Sequence, residues 1–152
     1  MKSIPILNAK EKKAINQLLE EQWGCTQKLD YVYIKNTKNR IFFMNRDLEH
    51  LDMGSLRLSS VGLYIGELMH ESEIRLSIEG SQVVGPNATK NIIEVTASQM
   101  RSWLKGNDLE ISTETKGFVI LKWSKDFLGC GRVKEGRIIN YVPKTRRILA
   151  VD

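Results

Sequence analysis

The side chains able to do covalent or metal chemistry are few, and their spacing argues against catalysis. Two histidines and two cysteines stand in a chain of 152 residues. His50, in Glu-His-Leu-Asp, and His70, in Met-His-Glu-Ser-Glu, both have carboxylates nearby. Neither has the HxxxH or His-x-Asp spacing that sets two ligands on one metal ion, so both read as solvated surface histidines. Cys25 and Cys130 lie far apart with no CxxC partner, which supports neither a zinc ribbon nor a redox dithiol and leaves two packing residues. Cys130 sits in the run Gly129-Cys130-Gly131 between two strand-like segments, and as a nucleophile it would need a base that the sequence does not supply. No helix start follows that run to hold a pyrophosphate, and no GxxxxGK[ST] loop is present, so the glycines read as a bulge or a close backbone approach. These residues imply no metal, no cofactor and no enzyme.

The chemistry that the sequence does concentrate is positive charge. From Lys116 onward nine Lys and Arg face three acids, whereas the preceding 115 residues hold 14 basic and 15 acidic side chains. The formal charge of +5 is therefore local to the last quarter. Lys105, Lys116, Lys122, Arg132, Lys134, Arg137, Lys144, Arg146 and Arg147 stand on or beside a glycine loop and the last strands, where they would neutralise phosphates and release counterions. Gly106, Gly131 and Gly136 would let a sugar-phosphate chain come close to backbone. Asn107 and Asn140 each offer a donor and an acceptor to a base edge or a 2′-hydroxyl. If this surplus serves one polyanionic partner, it should form one face.

The elements that must position these groups can be read along the chain. Asn8, with Glu11 three residues on, caps a helix whose stripe is Ile15, Leu18, Leu19, Gln22 and Trp23, and Gly24 ends it. LDYVYIK and RIFFMNR flank the polar loop NTKN as a hairpin. Asp47 to Met53 reads as a short helix closed by Gly54, followed by strands around Leu56–Leu58 and Gly62–Leu68. IRLSIEGSQVVG is ambiguous between helix and strand, and the spacing of Ile74, Ser77, Ile78 and Gln82 favours a short helix ending at Gly85-Pro86. Pro86-Asn87-Ala88-Thr89 marks a boundary, dividing the chain into 1-88 and 89-152. NIIEV is then a strand, Thr96 caps the helix ASQMRSWL packed by Met100, Trp103 and Leu104, and Gly106 supplies a left-handed exit. GFVILKW and FLGCGRV pair across Ser124-Lys125-Asp126, and RIINYV ends at Pro143. The second half is thus a mixed sheet curling toward a barrel. No apolar run approaches the length of a membrane span and the first residues lack a secretory signal, so the expected setting is cytoplasmic.

The order Thr96-ASQMRSWLKGNDLE followed by GFVILKWSKDFLGCGRV resembles a PUA domain, the small RNA-binding module named after pseudouridine synthases and archaeosine transglycosylases. The blocks GLYIGEL, RLSIEGSQ, WLKG, GFV, FLGCGRVKEG and NYVPKTRR are similar to two PUA-bearing groups. One is the nucleolar pre-ribosome factor family, with an α/β domain before its PUA domain. The other is the PUA-like C-terminal region of Sun-family RNA cytosine-5 methyltransferases. The resemblance covers roughly residues 60 to 148 and implies an α+β fold in which an N-terminal α/β domain packs on a C-terminal PUA-type β-pseudobarrel. It implies RNA binding through Lys105, Gly106 and Asn107 on the loop and through Arg132, Lys134, Arg137, Lys144 and Arg146 on the strand side. The catalytic cysteine motifs and cofactor-binding sheet of the methyltransferases are absent here, so that activity does not carry over. The expected protein is a non-catalytic binder of structured RNA, rRNA or tRNA, acting as an accessory factor in RNA maturation or ribosome biogenesis with a possible protein partner. Two rivals stand beside it. One is a protein–protein adaptor using the helix Ala9–Trp23; the other is a small RNA-modifying enzyme centred near Cys130.

Overall fold

The computed structural model describes residues 5–48, 62–70 and 72–149. Helix α1, Ala9–Trp23, is fixed at both ends by its own sequence. The Asn8 side chain accepts from the Glu11 amide at 2.9 Å while the Glu11 carboxylate accepts from the Asn8 amide at 3.1 Å, and Gly24 closes the helix at φ 65°. Strands β1 (Val32–Lys35) and β2 (Arg40–Met44) form the expected hairpin. A helical turn covers Arg46–Leu48. The rest of the helix expected to Met53 and Gly54, the strand near Leu56–Leu58, and His50 lie outside the described residues. Strands β3 (Leu63–Met69) and β4 (Glu73–Leu76) complete a four-stranded antiparallel sheet in the order β1-β2-β3-β4.

Strand β4 corrects one expectation. The segment read as a single helix is a strand up to Leu76 and then helix α2, Ile78–Val84. Ser77 makes the change of state: its hydroxyl accepts from the Gly80 amide at 2.9 Å as an N-cap and donates to the Tyr64 carbonyl at 2.6 Å. Ile74 and Leu76 point inward by strand alternation, so the four-residue spacing of Ile74 and Ile78 imitates a helical stripe without being one.

In the second sheet, order β5-β7-β8-β9-β6, β5 (Ile92–Glu94) runs parallel to β7 and the other pairings are antiparallel. Helix α3, Ala97–Leu104, follows β5, with Thr96 and Gln99 forming a second capping box. The sheet is completed by β6 (Leu109–Glu110), β7 (Gly117–Trp123), β8 (Asp126–Lys134) and β9 (Arg137–Asn140). The register slips between Leu121 and Lys122, leaving Leu128 as the extra residue beside Gly129, whose φ is 134°. The glycine run is thus a bulge.

Strand β7 is apolar throughout because both of its faces are covered. Phe118 and Ile120, with Cys130 of β8, join a core containing Ile15, Leu19 and Trp23 of α1 and Ile74 and Leu76 of β4. Val119 and Leu121 face the other way, against Trp103, Leu109 and Ile138. The first core therefore draws members from both sides of residue 88. Gln22 adds a polar tie: its amide nitrogen donates to the Ile74 carbonyl at 3.2 Å and its amide oxygen accepts from the Ile74 amide at 2.7 Å, as a neighbouring strand would.

Candidate nucleic-acid interface

The basic residues of β8 and β9 are gathered by strand pleating and one tight turn. Glu135 and Gly136, at φ 52° and 81°, make the two-residue turn between these strands. Lys134 is paired with Arg137 across it, and Arg132 lies two residues back on the same face. Arg132 pairs with Phe118 of β7, and its guanidinium carbon lies 5.6 Å from the Phe118 ring centroid. The loop before β7 brings Lys116 into one groove with Arg132 and Lys134; Glu114 and Glu135 line it as well. Among the described residues Lys116, Arg132 and Lys134 make no ion pair, and the Arg137 contact with Asp108 is long at 3.9 Å. Four cations thus meet at one end of the sheet, with Glu114 and Glu135 lining the groove and Glu110 and Asp108 beside Arg137.

The exit of α3 forms the second group. Lys105 and Asn107 are exposed there. The last residues return to this point, since the Ile148 amide donates to the Leu104 carbonyl at 2.9 Å. That return carries Arg147 onto the same loop, where its side chain lies over Gly106 and its Nε donates to the Val142 carbonyl at 3.0 Å. Arg137 and Asp108 link this group to the hairpin end.

Several residues expected at the interface are spent elsewhere. Asn140 is structural: its Nδ2 donates to the carbonyls of Trp103 and Asn107 at 2.8 and 2.9 Å, and its Oδ1 accepts from the Val142 amide at 2.7 Å. Gly131 is buried, and a Cβ there would lie 2.4 Å from Ile138 and 2.7 Å from Trp103. Gly106, at φ 98°, is covered by the Arg147 side chain, whereas Gly136 is open. Arg146 turns away to pair with Glu79 at 2.6 Å. Lys122 stands at the far end of β7 from Lys116, about 20 Å along the strand. It reaches to 5.5 Å from the Phe127 ring. The surplus charge therefore does not form a single face.

The scatter of the basic side chains is what the adaptor reading expects, but the rest of the geometry gives the two rivals little support. The apolar stripe of α1 lies in the core, with Trp23 fully buried, so it offers no docking face. Burial pushes the Cys130 thiol up to about 12, the reverse of what an attacking thiolate requires.

Sequence reasoning missed a run of aromatic and guanidinium groups linking the two sheets. Arg75 lies 4.8 Å from the Tyr141 ring, Tyr141 packs at 6.2 Å on Phe118, and on the other side Arg40 stands 6.0 Å from Tyr64. No local spacing signals it, because its members come from five different strands or their ends.

Comparison with known proteins bears on the C-terminal half most directly. Residues 90–148 match the family model described as the methyltransferase RsmF PUA domain. The ribosomal RNA small subunit methyltransferase F of Vibrio cholerae is 26% identical over 137 residues, covering 89% of this chain and 28% of that protein. Its namesake in Vibrio parahaemolyticus is 31% identical over 98 residues, covering 60% of this chain and 20% of that protein. The matches span only 28% and 20% of the length of these relatives. Helix, glycine loop, bulged strand pair and last strand agree with that match, and the chain carries a PUA domain related to the PUA-like regions of Sun-family RNA methyltransferases.

Proposed function

We propose that the chain is a non-catalytic RNA-binding protein, an accessory factor in RNA maturation working in the cytoplasm. The carrying observation is the meeting of Lys116, Arg132, Lys134 and Arg137 at one end of the PUA sheet, the first three without an ion pair among the described residues. Such an array suits phosphates held at a fixed spacing, and in this reading the exposed Lys105, Asn107 and Lys144 extend the footprint. In this reading residues 89–152 hold the RNA, and residues 1–88 brace them and engage a protein partner. The relatives' names point to small-subunit ribosomal RNA as the first ligand to try. Structured fragments of that RNA should bind with an affinity that falls steeply with added salt. Replacing Arg137 and Lys144 together by Ala should lower the log–log salt slope by about 1.4–1.8 for two lost phosphate contacts. An affinity and slope untouched by both changes would overturn the proposal.

A further inference from the structure

A cleft of about 170 Å³ opens where the edge strand β4 meets the segment after β9. Tyr64, Arg75, Glu79, Tyr141 and Arg146 line it, and the buried Cys130 stands behind them. It is separate from the basic groove at the β8–β9 turn, with which it shares no lining residue.

The chemistry of the cleft differs from that of the groove. Both of its guanidinium groups already have carboxylate partners: Arg146 meets Glu79 at 2.6 Å, and Arg75 meets Glu67 at 3.4 Å. A phosphate would compete with those carboxylates and be repelled by them, so the site is poorly built for an anion. What remains is planar surface and hydrogen-bonding edge. The Tyr141 ring carries the Arg75 guanidinium at 4.8 Å, and Arg75 also neighbours Tyr64. Arg146 donates to Glu79 Oε1 at 2.6 Å, which leaves Glu79 Oε2 as an acceptor and the other Arg146 N–H groups as donors. Flat, neutral faces with a mixed donor–acceptor wall match a nucleobase lifted out of its stack.

We propose that this cleft holds a single unstacked nucleobase, with Tyr141 and Arg75 providing the stacking surface and Glu79 with Arg146 meeting the base edge. The inference rests on the RNA-binding reading, in which the basic groove holds the backbone while the cleft takes a bulged or flipped nucleotide. A free nucleotide has the same chemistry, and the test separates the two sources.

The full chain is titrated with an RNA hairpin bearing one bulged 2-aminopurine, and affinity and 2-aminopurine fluorescence are recorded together. Adenosine 5′-monophosphate is titrated separately by NMR. Binding with a fluorescence change that Tyr141→Leu abolishes, and an affinity about 5- to 100-fold weaker in that variant, supports a flipped base. Arg75→Gln should reduce the same signal, and it guards against a Tyr141 variant that fails to fold. Hairpin binding with a fluorescence response equal in wild type and both variants overturns the cleft while leaving the RNA reading standing. If the hairpin does not bind, shifts at Tyr64 and Tyr141 on adding the mononucleotide support a free-nucleotide site, and their absence overturns the cleft together with the RNA reading.

Discussion

The side-chain amide of Asn140 donates to the main-chain carbonyl of Trp103 at 2.8 Å, tying the end of β9 to the last turn of α3. The same nitrogen reaches the Asn107 carbonyl at 2.9 Å, and the amide oxygen accepts from Val142. One side chain therefore holds both the exit loop with Lys105 and Asn107 and the start of the C-terminal return. Asn140→Ala should cost about 1–3 kcal/mol, since it strands polar backbone groups in a half-buried place. Asn140→Asp keeps the acceptor for Val142 but removes both donors, so it should rescue only part of the loss. Thermal unfolding of the two variants checks the order.

Gly131 and Gly136 lie five residues apart and should respond unequally to alanine. At Gly131 the new methyl group would meet Ile138 at 2.4 Å, the Trp103 ring at 2.7 Å and the Ile139 carbonyl at 2.9 Å. The carbonyl belongs to the β9 ladder and cannot withdraw without loosening it, so Gly131→Ala should cost about 1–3 kcal/mol. Nothing lies within 4 Å of a methyl group at Gly136, where only the positive φ of 81° opposes substitution, at about 1 kcal/mol. Denaturant midpoints should therefore fall further for Gly131→Ala.

These two positions show what the sequence could and could not reveal. Local signals were sufficient where the cause is local: the Asn8–Glu11 and Thr96–Gln99 boxes and the φ of Gly24 are decided within a few residues. The paired strands β7 and β8 were legible from their apolar runs and the short turn between them. Segment 74–85 is ambiguous in sequence, and its strand half reads as helix because strand alternation and helical spacing coincide at Ile74 and Ile78, and only the capping by Ser77 separates them. The role of Asn140 was hidden because its partners lie 37 and 33 residues upstream. In sequence Asn140 is a polar residue near a basic run, which is how a ligand contact also looks. Gly131 misled in the same way, since a glycine that admits a nucleic-acid backbone and one that admits a tryptophan ring are written alike.

Lys134 and Lys122 provide a contrast that composition alone would not predict. Lys134 stands at the β8–β9 turn with Arg137 and Arg132, while Lys122 pairs with Glu94 in register on β5 and lies over the Phe127 ring. Both substitutions to Ala remove one positive charge from the same segment. Lys134→Ala should reduce the salt slope of RNA binding by about 0.7–0.9, as for one lost phosphate contact. Lys122→Ala should leave the slope unchanged. Equal effects from the two would mean that net charge, and not the groove, governs binding. Fluorescence anisotropy over a salt series distinguishes these outcomes.

Burial of Cys130 and Tyr33 makes stability depend on alkaline pH. Burial pushes both groups up to about 12, from 9.0 for the thiol and 10.0 for the phenol. Below the lower value in each pair, folded and unfolded chains both hold the proton, and the full stability is present. As pH rises past it, only the unfolded chain loses the proton, so unfolding becomes progressively more favourable until the folded pKa is reached. Each group can contribute a fall of at most about 1.4 kcal/mol per pH unit in that window. The midpoint of urea unfolding should therefore drop as pH rises past about 9 and keep falling toward about pH 12. Cys130→Ala should begin lower at the first pH because it leaves a small cavity, yet fall less steeply, since its unfolded state has no thiol to ionise. Tyr33→Phe should flatten the curve only at the upper end. A slope identical in wild type and Cys130→Ala would show that the thiol titrates alike in both states, contrary to its position between β7 and β4.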